Sequence, residues 1–206
     1  MPILLVSYLT YTFQIMKNSE LDKRTRLLEA ANKLVHQQGF NQTTLADIAL
    51  ESKVPLGNMY YYFKTKDDLG RALIEQRTDC YRNQFGEWGK LPEPRQRILA
   101  SIQAVADRSE MVAQSGCPTG SLCQELRKDG GPLADKAAFL FKAHLEWLEV
   151  QFSLLGMRKE SAGHALHLVS ALQGASLLTN AFNDPTLMLR EAARLTEWVN
   201  ALRADA

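Results

Sequence analysis

The chain has 206 residues, 46% of them hydrophobic and 23% charged, with a formal net charge of +1. That balance suits one or two small folded domains with a real core and excludes wholesale disorder. Charge alone gives no sign of a nucleic-acid partner.

Residues 1–15, MPILLVSYLTYTFQI, are apolar and contain no Lys or Arg. They lack the basic leader of a signal peptide and fall short of the roughly 20 apolar residues of a membrane helix. Met16 begins MKNSELDKRTRLLEAA, which reads as a natural start, so residues 1–15 are expected to be an N-terminal extension; a short segment packed on the body is the alternative. The cysteines, Cys80, Cys117 and Cys123, are odd in number and form no CxxC. Reduced thiols in a cytoplasm are the expectation.

Beyond residue 18 the apolar residues recur at helical spacing, and strand-like alternation is nearly absent. Leu27, Leu28, Ala31, Leu34 and Val35 mark one face of a helix over 21–38, and Gly39 stops it. Thr44-Leu45-Ala46-Asp47 is a capping box, in which Thr44 accepts from the N3 amide and Asp47 reaches back. The short helix it starts ends near Glu51. Val54-Pro55 breaks the chain, and Pro55 opens a second short helix with Met59 and Phe63 facing inward. Thr65 caps a longer helix to about Phe85, with Asp67 and Asp68 in the first turn, where the helix dipole favours acids. Gly86, Gly89, Pro92 and Pro94 make a connection. Further helices are expected over about 94–114, from Pro118 to the break at Asp129-Gly130-Gly131, over 132–155, over 157–182, and from Pro185 to about 203. The predicted fold is all-α, about nine helices in all, with three short ones forming a compact unit ahead of a larger bundle.

The helices 44–51 and 55–63, joined by a short turn, have helix-turn-helix form. In that motif the second helix lies in the major groove, so its inner side must pack while its outer side stays free. Met59 and Phe63 supply the inner side and leave Leu56, Gly57, Asn58, Tyr61 and Tyr62 outward. Gly57 permits close approach of the backbone, Asn58 can bond base edges, and tyrosines can reach phosphates, sugars or thymine methyls. Lys64 and Lys66 stand at the exit for phosphates, and Thr44 for a phosphate at its own helix N-terminus. Two core helices of an ordinary bundle are the competing explanation. The block Tyr60-Tyr61-Tyr62-Phe63 weighs against it, because successive residues do not share one face and some would be stranded in solvent.

The run TTLADIALESKVPLGNMYYYFKTKDDL, Thr43 to Leu69, resembles the DNA-binding domain of the TetR family of bacterial transcriptional regulators. Thr43, Thr44, Ile48, Ala49, Val54, Gly57, Met59, Tyr60, Phe63, Lys64, Lys66 and Leu69 carry the resemblance, and Ala30, Gly39 and Phe40 fit it. It implies a helix-turn-helix DNA-binding domain over 16–66 and an effector-binding and dimerisation bundle over 67–206. It also implies a homodimeric, TetR/AcrR-type repressor on a partly palindromic operator. Tyr60 and Lys66 would touch the DNA backbone, Thr44 would be a capping phosphate contact, and Leu56, Gly57, Asn58, Tyr61 and Tyr62 would face the groove. Pro55 and Leu56 stand where many members carry Ser or Thr and then Lys. A side-chain cap and a basic contact are therefore missing, so base preference cannot be taken over from a relative.

Beyond residue 72 the resemblance is architectural. The helix over 157–182 is rich in small residues that allow close helix approach, and Leu166, Val169, Ala171, Gly174, Ala175 and Leu178 are its candidate dimer contacts. An internal core helix is the alternative. Candidate effector-pocket residues, chosen by type, are Phe85, Trp88, Phe139, His144 and Trp147, with Phe141 and Phe152 also considered. Cys117 precedes Pro118 at an expected helix start, where thiolate is favoured, so oxidation or electrophile modification of Cys117 is an alternative effector signal. His164 and His167, one helical turn apart, fit an interface pair better than a metal site. The sequence has no nucleophile triad, phosphate loop or dinucleotide fingerprint. A helical-bundle enzyme is thus the weaker class, and neither cofactor nor metal is expected. The expected partners are double-stranded operator DNA, a second copy of the chain and a small-molecule effector.

Overall fold

The computed structural model describes residues 23–204. The expectation for residues 1–15 lies outside the described residues. Ten helices make up the described part: α1 Lys23–Gln38, α2 Leu45–Ser52, α3 Leu56–Tyr62, α4 Lys66–Gly89, α5 Pro94–Ala106, α6 Ser109–Ser115, α7 Pro118–Asp129, α8 Pro132–Leu154, α9 Ser161–Phe182 and α10 Pro185–Ala201. The all-α expectation holds. No helix among the described residues is long and apolar enough to cross a membrane.

The local signals act where the sequence put them. Both capping boxes form: Asp47 N–H donates to Thr44 Oγ1 at 3.1 Å, and Asp68 N–H to Thr65 Oγ1 at 3.0 Å. Each satisfies an otherwise orphaned amide and stabilises its helix by about 1 kcal/mol. Gly39 ends α1 at φ +88, and a Cβ there would meet the Glu125 carboxylate at 2.8 Å. The left-handed backbone conformation demands glycine, whereas the end of the flexible Glu125 side chain can shift.

Two expectations needed tertiary information. The helix expected over 94–114 breaks into α5 and α6 around Asp107 and Arg108. The helix expected to stop near Phe85 continues through Gly86 to Gly89. Glycine costs only about 1 kcal/mol inside a helix, and Phe85 and Trp88 recover that by packing on Trp147 of α8.

Two buried clusters hold the molecule. The first gathers Leu27, Ile48, Met59, Phe63 and Leu73, then continues into Leu122, Leu126, Leu133 and Leu140 of α7 and α8. The second joins α5, α8, α9 and α10 around Ile98, Phe152, Leu168, Leu172 and Leu195. The first cluster therefore binds the helix-turn-helix rigidly to the bundle, and α4 is the strut that enters both regions.

Polar ties reinforce that joint. His36 of α1 bonds the Gly116 carbonyl at 2.9 Å through Nε2, and the Asn41 N–H donates to the Glu125 carboxylate at 3.0 Å. Arg77 of α4 donates to the Pro118 carbonyl at 2.6 Å. The elbow between α6 and α7 is tied in turn to α9, where Asn180 donates to the Ala113 carbonyl at 2.9 Å.

Candidate functional site

α3 is supported from behind. Met59 is fully buried and Phe63 nearly so, at i and i+4 on one side of the helix. The Asn58 and Met59 N–H groups donate to the Pro55 carbonyl at 2.8 and 3.2 Å, and Phe63 N–H closes the helix on the Met59 carbonyl at 2.8 Å. Pro55 provides no side-chain cap. The turn ahead of α3 places Lys53 in the left-handed region, and the Arg26 guanidinium of α1 donates to the Ser52 and Lys53 carbonyls. Arg26 had no sequence signal, because the contact joins segments distant along the chain.

Opposite that support, Leu56, Gly57, Tyr60 and Tyr61 are exposed and Asn58 is half-buried. Leu56, Tyr60 and Tyr61 are 41%, 51% and 81% exposed, so Tyr61 projects furthest. A Cβ on Gly57 would meet nothing within 4 Å, so the fold itself does not demand glycine there. Tyr62, expected to face outward, is half-buried against the first cluster, and its ring meets Tyr61 edge-on at 5.1 Å. It supports Tyr61 from the side.

The flanking residues divide in the same way. Lys64 is exposed. Lys66 is engaged, donating to the Asn41 carbonyl at 2.8 Å with its ammonium 5.0 Å from the Phe40 ring centroid. The exposed Thr44 hydroxyl donates to the Asp47 carboxylate at 2.7 Å. That bond holds the Asp47 carboxyl below its usual pKa.

In the bundle, four of the five aromatic candidates come together between α4 and α8. Phe85 stacks on Trp147 at 4.9 Å, Trp88 lies 5.3 Å from Trp147, and His144 lies 5.8 Å from Phe85. Phe139 stands apart, exposed beneath Lys142. Phe152 is core, packed on Trp198. Tyr81 completes the nest, stacked on Phe85 at 5.7 Å with its hydroxyl 2.9 Å from Thr119 Oγ1. Its place one turn before Phe85 was the signal available in the sequence. Burial pushes the His144 pKa down to about 4, so its imidazole is neutral, and its buried Nε2 has no hydrogen-bond partner. An orphaned buried nitrogen is costly, which marks this nest off from ordinary core.

Cys117 is the N-cap of α7. Its sulfur accepts from the Gly120 N–H at 3.3 Å, and the Gln173 amide donates to it at 3.5 Å. Cys123 donates to the Ala137 carbonyl, and burial pushes its thiol up to about 11. Among the described residues no disulfide links the three cysteines.

On α9, Leu166, Gly174 and Leu178 are exposed and Ala171 is half-buried, whereas Val169 and Ala175 pack inside the same protomer. The outward face continues through exposed Leu177 and onto Leu189 of α10. An open groove runs between the two helices, with Ala171, Gly174 and Leu178 on one wall and Leu187, Arg190 and Arg194 on the other. His164 and His167 both turn their rings to Trp198, at 5.5 and 4.8 Å.

Comparison with known proteins agrees with this layout. The pattern of the family described as "Bacterial regulatory proteins, tetR family" matches residues 27–73. The HTH-type transcriptional repressor NemR of Escherichia coli (strain K12) is 32% identical over 128 residues, which cover 59% of this chain and 64% of that protein. The alignment thus spans less than two thirds of that relative. A crystal structure of E. coli NemR in its reduced form superposes with a TM-score of 0.73 at 23% identity, over 86% of this chain and 96% of that one. A TetR transcriptional regulator from Legionella pneumophila superposes with a TM-score of 0.79 at 20% identity, over 88% and 99%. At those identities the structural likeness speaks for the fold alone. With the pattern seated on the helices that bury Met59 and Phe63 and expose Tyr61, residues 27–73 form a helix-turn-helix unit of the tetR family of bacterial regulatory proteins.

Proposed function

We propose that the chain is a transcriptional repressor that binds a partly palindromic operator as a homodimer and releases it when a small-molecule effector enters the bundle. The observation that carries this is the outer face of α3: exposed Leu56, Tyr60 and Tyr61 on a helix braced by buried Met59 and Phe63. An exposed aromatic face has no role in the core and suits a DNA groove. The apolar face of α9 and α10 supports pairing of two copies, which a palindromic site requires. The aromatic nest around His144 supports an effector that is planar and offers the orphaned nitrogen a hydrogen-bond partner. Lys64 and Tyr60 are the phosphate contacts in this reading, since the Thr44 hydroxyl, expected for one, gives its proton to the Asp47 carboxylate. The measurement is fluorescence anisotropy with duplexes from upstream of the chain's own gene against scrambled duplexes, over a range of salt. Equal affinity for both would end the repressor proposal.

Oxidation or electrophile attack at Cys117 is a second route for the signal. Its sulfur sits at the N-terminus of α7, where the Gly120 N–H and the Gln173 amide both donate to it. If this route operates, quinone or peroxide releases the wild-type protein from operator and leaves Cys117→Ser bound. Unchanged wild-type affinity after treatment removes it.

A further inference from the structure

We propose that the outer face of α3 reads adenine and the thymine methyl, and does not read guanine, so that the contacted bases of each operator half-site are A·T pairs. This rests on the repressor function proposed above and concerns which bases that same surface recognises.

The inference comes from what the outward side chains can do. Guanine presents two acceptors in the major groove, N7 and O6, and is read by the paired donors of Arg or by the Lys ammonium. Between Lys53 and Lys64 the chain carries no basic residue. Lys64 lies beyond the C-cap Phe63, past the end of the helix, and Lys66 is held by the Asn41 carbonyl. The outer face itself offers an aliphatic side chain (Leu56), a bare backbone (Gly57), an amide (Asn58) and two aromatic rings (Tyr60 and Tyr61).

Each of these matches an A·T pair. An Asn amide sets an NH2 donor beside a carbonyl acceptor, the complement of adenine N7 and N6–H. Leu56 and the Tyr61 ring are apolar surface of the kind that packs on the thymine C5-methyl. A tyrosine hydroxyl is a single donor and cannot form the fork that guanine rewards. Cytosine, whose N4 amine calls for a carboxylate, has no reader either, because the carboxylates of α2 are occupied: Asp47 by Thr44 and Glu51 by Lys33. Open space around Gly57 lets the helix backbone approach, bringing these short contacts within reach.

The test is selection of bound duplexes from a random library by the full-length protein, followed by single-base analogues in the selected site. The expected result is a two-fold symmetric motif with A·T pairs at the central contacted positions of each half. Uracil for thymine, or 7-deazaadenine for adenine, at those positions should weaken binding about tenfold, while 7-deazaguanine anywhere in the half-site changes it less than about twofold. Asn58→Ala should abolish sensitivity to 7-deazaadenine, and Tyr61→Ala sensitivity to uracil. A motif with an obligatory guanine, weakened tenfold by 7-deazaguanine, overturns the base assignment and leaves the repressor standing. An A·T motif indifferent to both analogues also overturns it, placing selectivity in duplex shape. Failure to enrich any motif overturns both this inference and the function on which it rests.

Discussion

The Lys66 ammonium donates to the carbonyl of Asn41 at 2.8 Å, tying the start of α4 to the loop between α1 and α2. A lysine at the exit of a recognition helix would ordinarily be counted as a phosphate contact. This one is already bonded and lies over the Phe40 ring. Lys66→Ala should therefore cost about 1 kcal/mol in unfolding free energy. Lys64→Ala should be neutral in stability and reduce the slope of log affinity against log salt by about 0.9 for each copy on the DNA, about 1.8 for a bound pair. Urea denaturation and salt-dependent anisotropy on both variants separate the two roles, and a larger salt effect for Lys66 would contradict this division.

Tyr61 is 81% exposed, so Tyr61→Ala should leave stability within about 0.5 kcal/mol of the parent. Its operator affinity should fall by about tenfold while binding to scrambled DNA is unchanged. Loss of affinity for all DNA alike would make Tyr61 a backbone contact.

Met59 has no solvent exposure and packs against the helix-turn-helix core. Met59→Ala should destabilise the protein by about 2–5 kcal/mol through lost contacts and a residual cavity. Because the same buried cluster runs on into α7 and α8, the loss should appear in a single cooperative unfolding transition. A separate early transition for residues 23–63 would show that the head unfolds alone.

His144 supplies a pH signature. Its pKa falls from 6.5 in the unfolded chain to about 4 in the fold because burial disfavours the imidazolium. Its contribution is complete above pH 6.5 and is lost as pH drops towards 4, by about 1.4 kcal/mol per pH unit, since the unfolded chain takes up the proton first. His144→Leu should flatten that part of the stability profile and remove the orphaned Nε2. Urea midpoints of parent and variant between pH 4 and 7 check this. Parallel curves would mean that His144 protonates freely in the folded protein.

Leu178 is half exposed on the small-residue face of α9. Leu178→Glu should leave the chain folded, since little of its own core is touched, but shift its mass in solution from the proposed dimer to a monomer. Affinity for a two-fold symmetric operator should fall with it, while a single half-site is bound as before. Light scattering coupled to size exclusion measures the first effect, and a dimer that survives the substitution would move the pairing surface elsewhere.

Local chemistry was enough to determine most of the DNA-reading unit. Thr44 with Asp47, Thr65 with Asp68, the Gly39 stop and the spacing of Met59 and Phe63 are all interactions within a few residues, so they can be read along the chain. Tertiary packing decided the rest. Helical spacing alone leaves a Tyr62 or a Lys66 free to point outward. One is drawn against the first cluster and the other onto Asn41, from a different part of the chain. The same holds for Val169 and Ala175, whose small size fits either a partner or the protomer's own core, and for Tyr81 and His144, which meet only because α4 crosses α8. A side chain's type sets what it can bond, and the distant element packed beside it decides which of those bonds it makes.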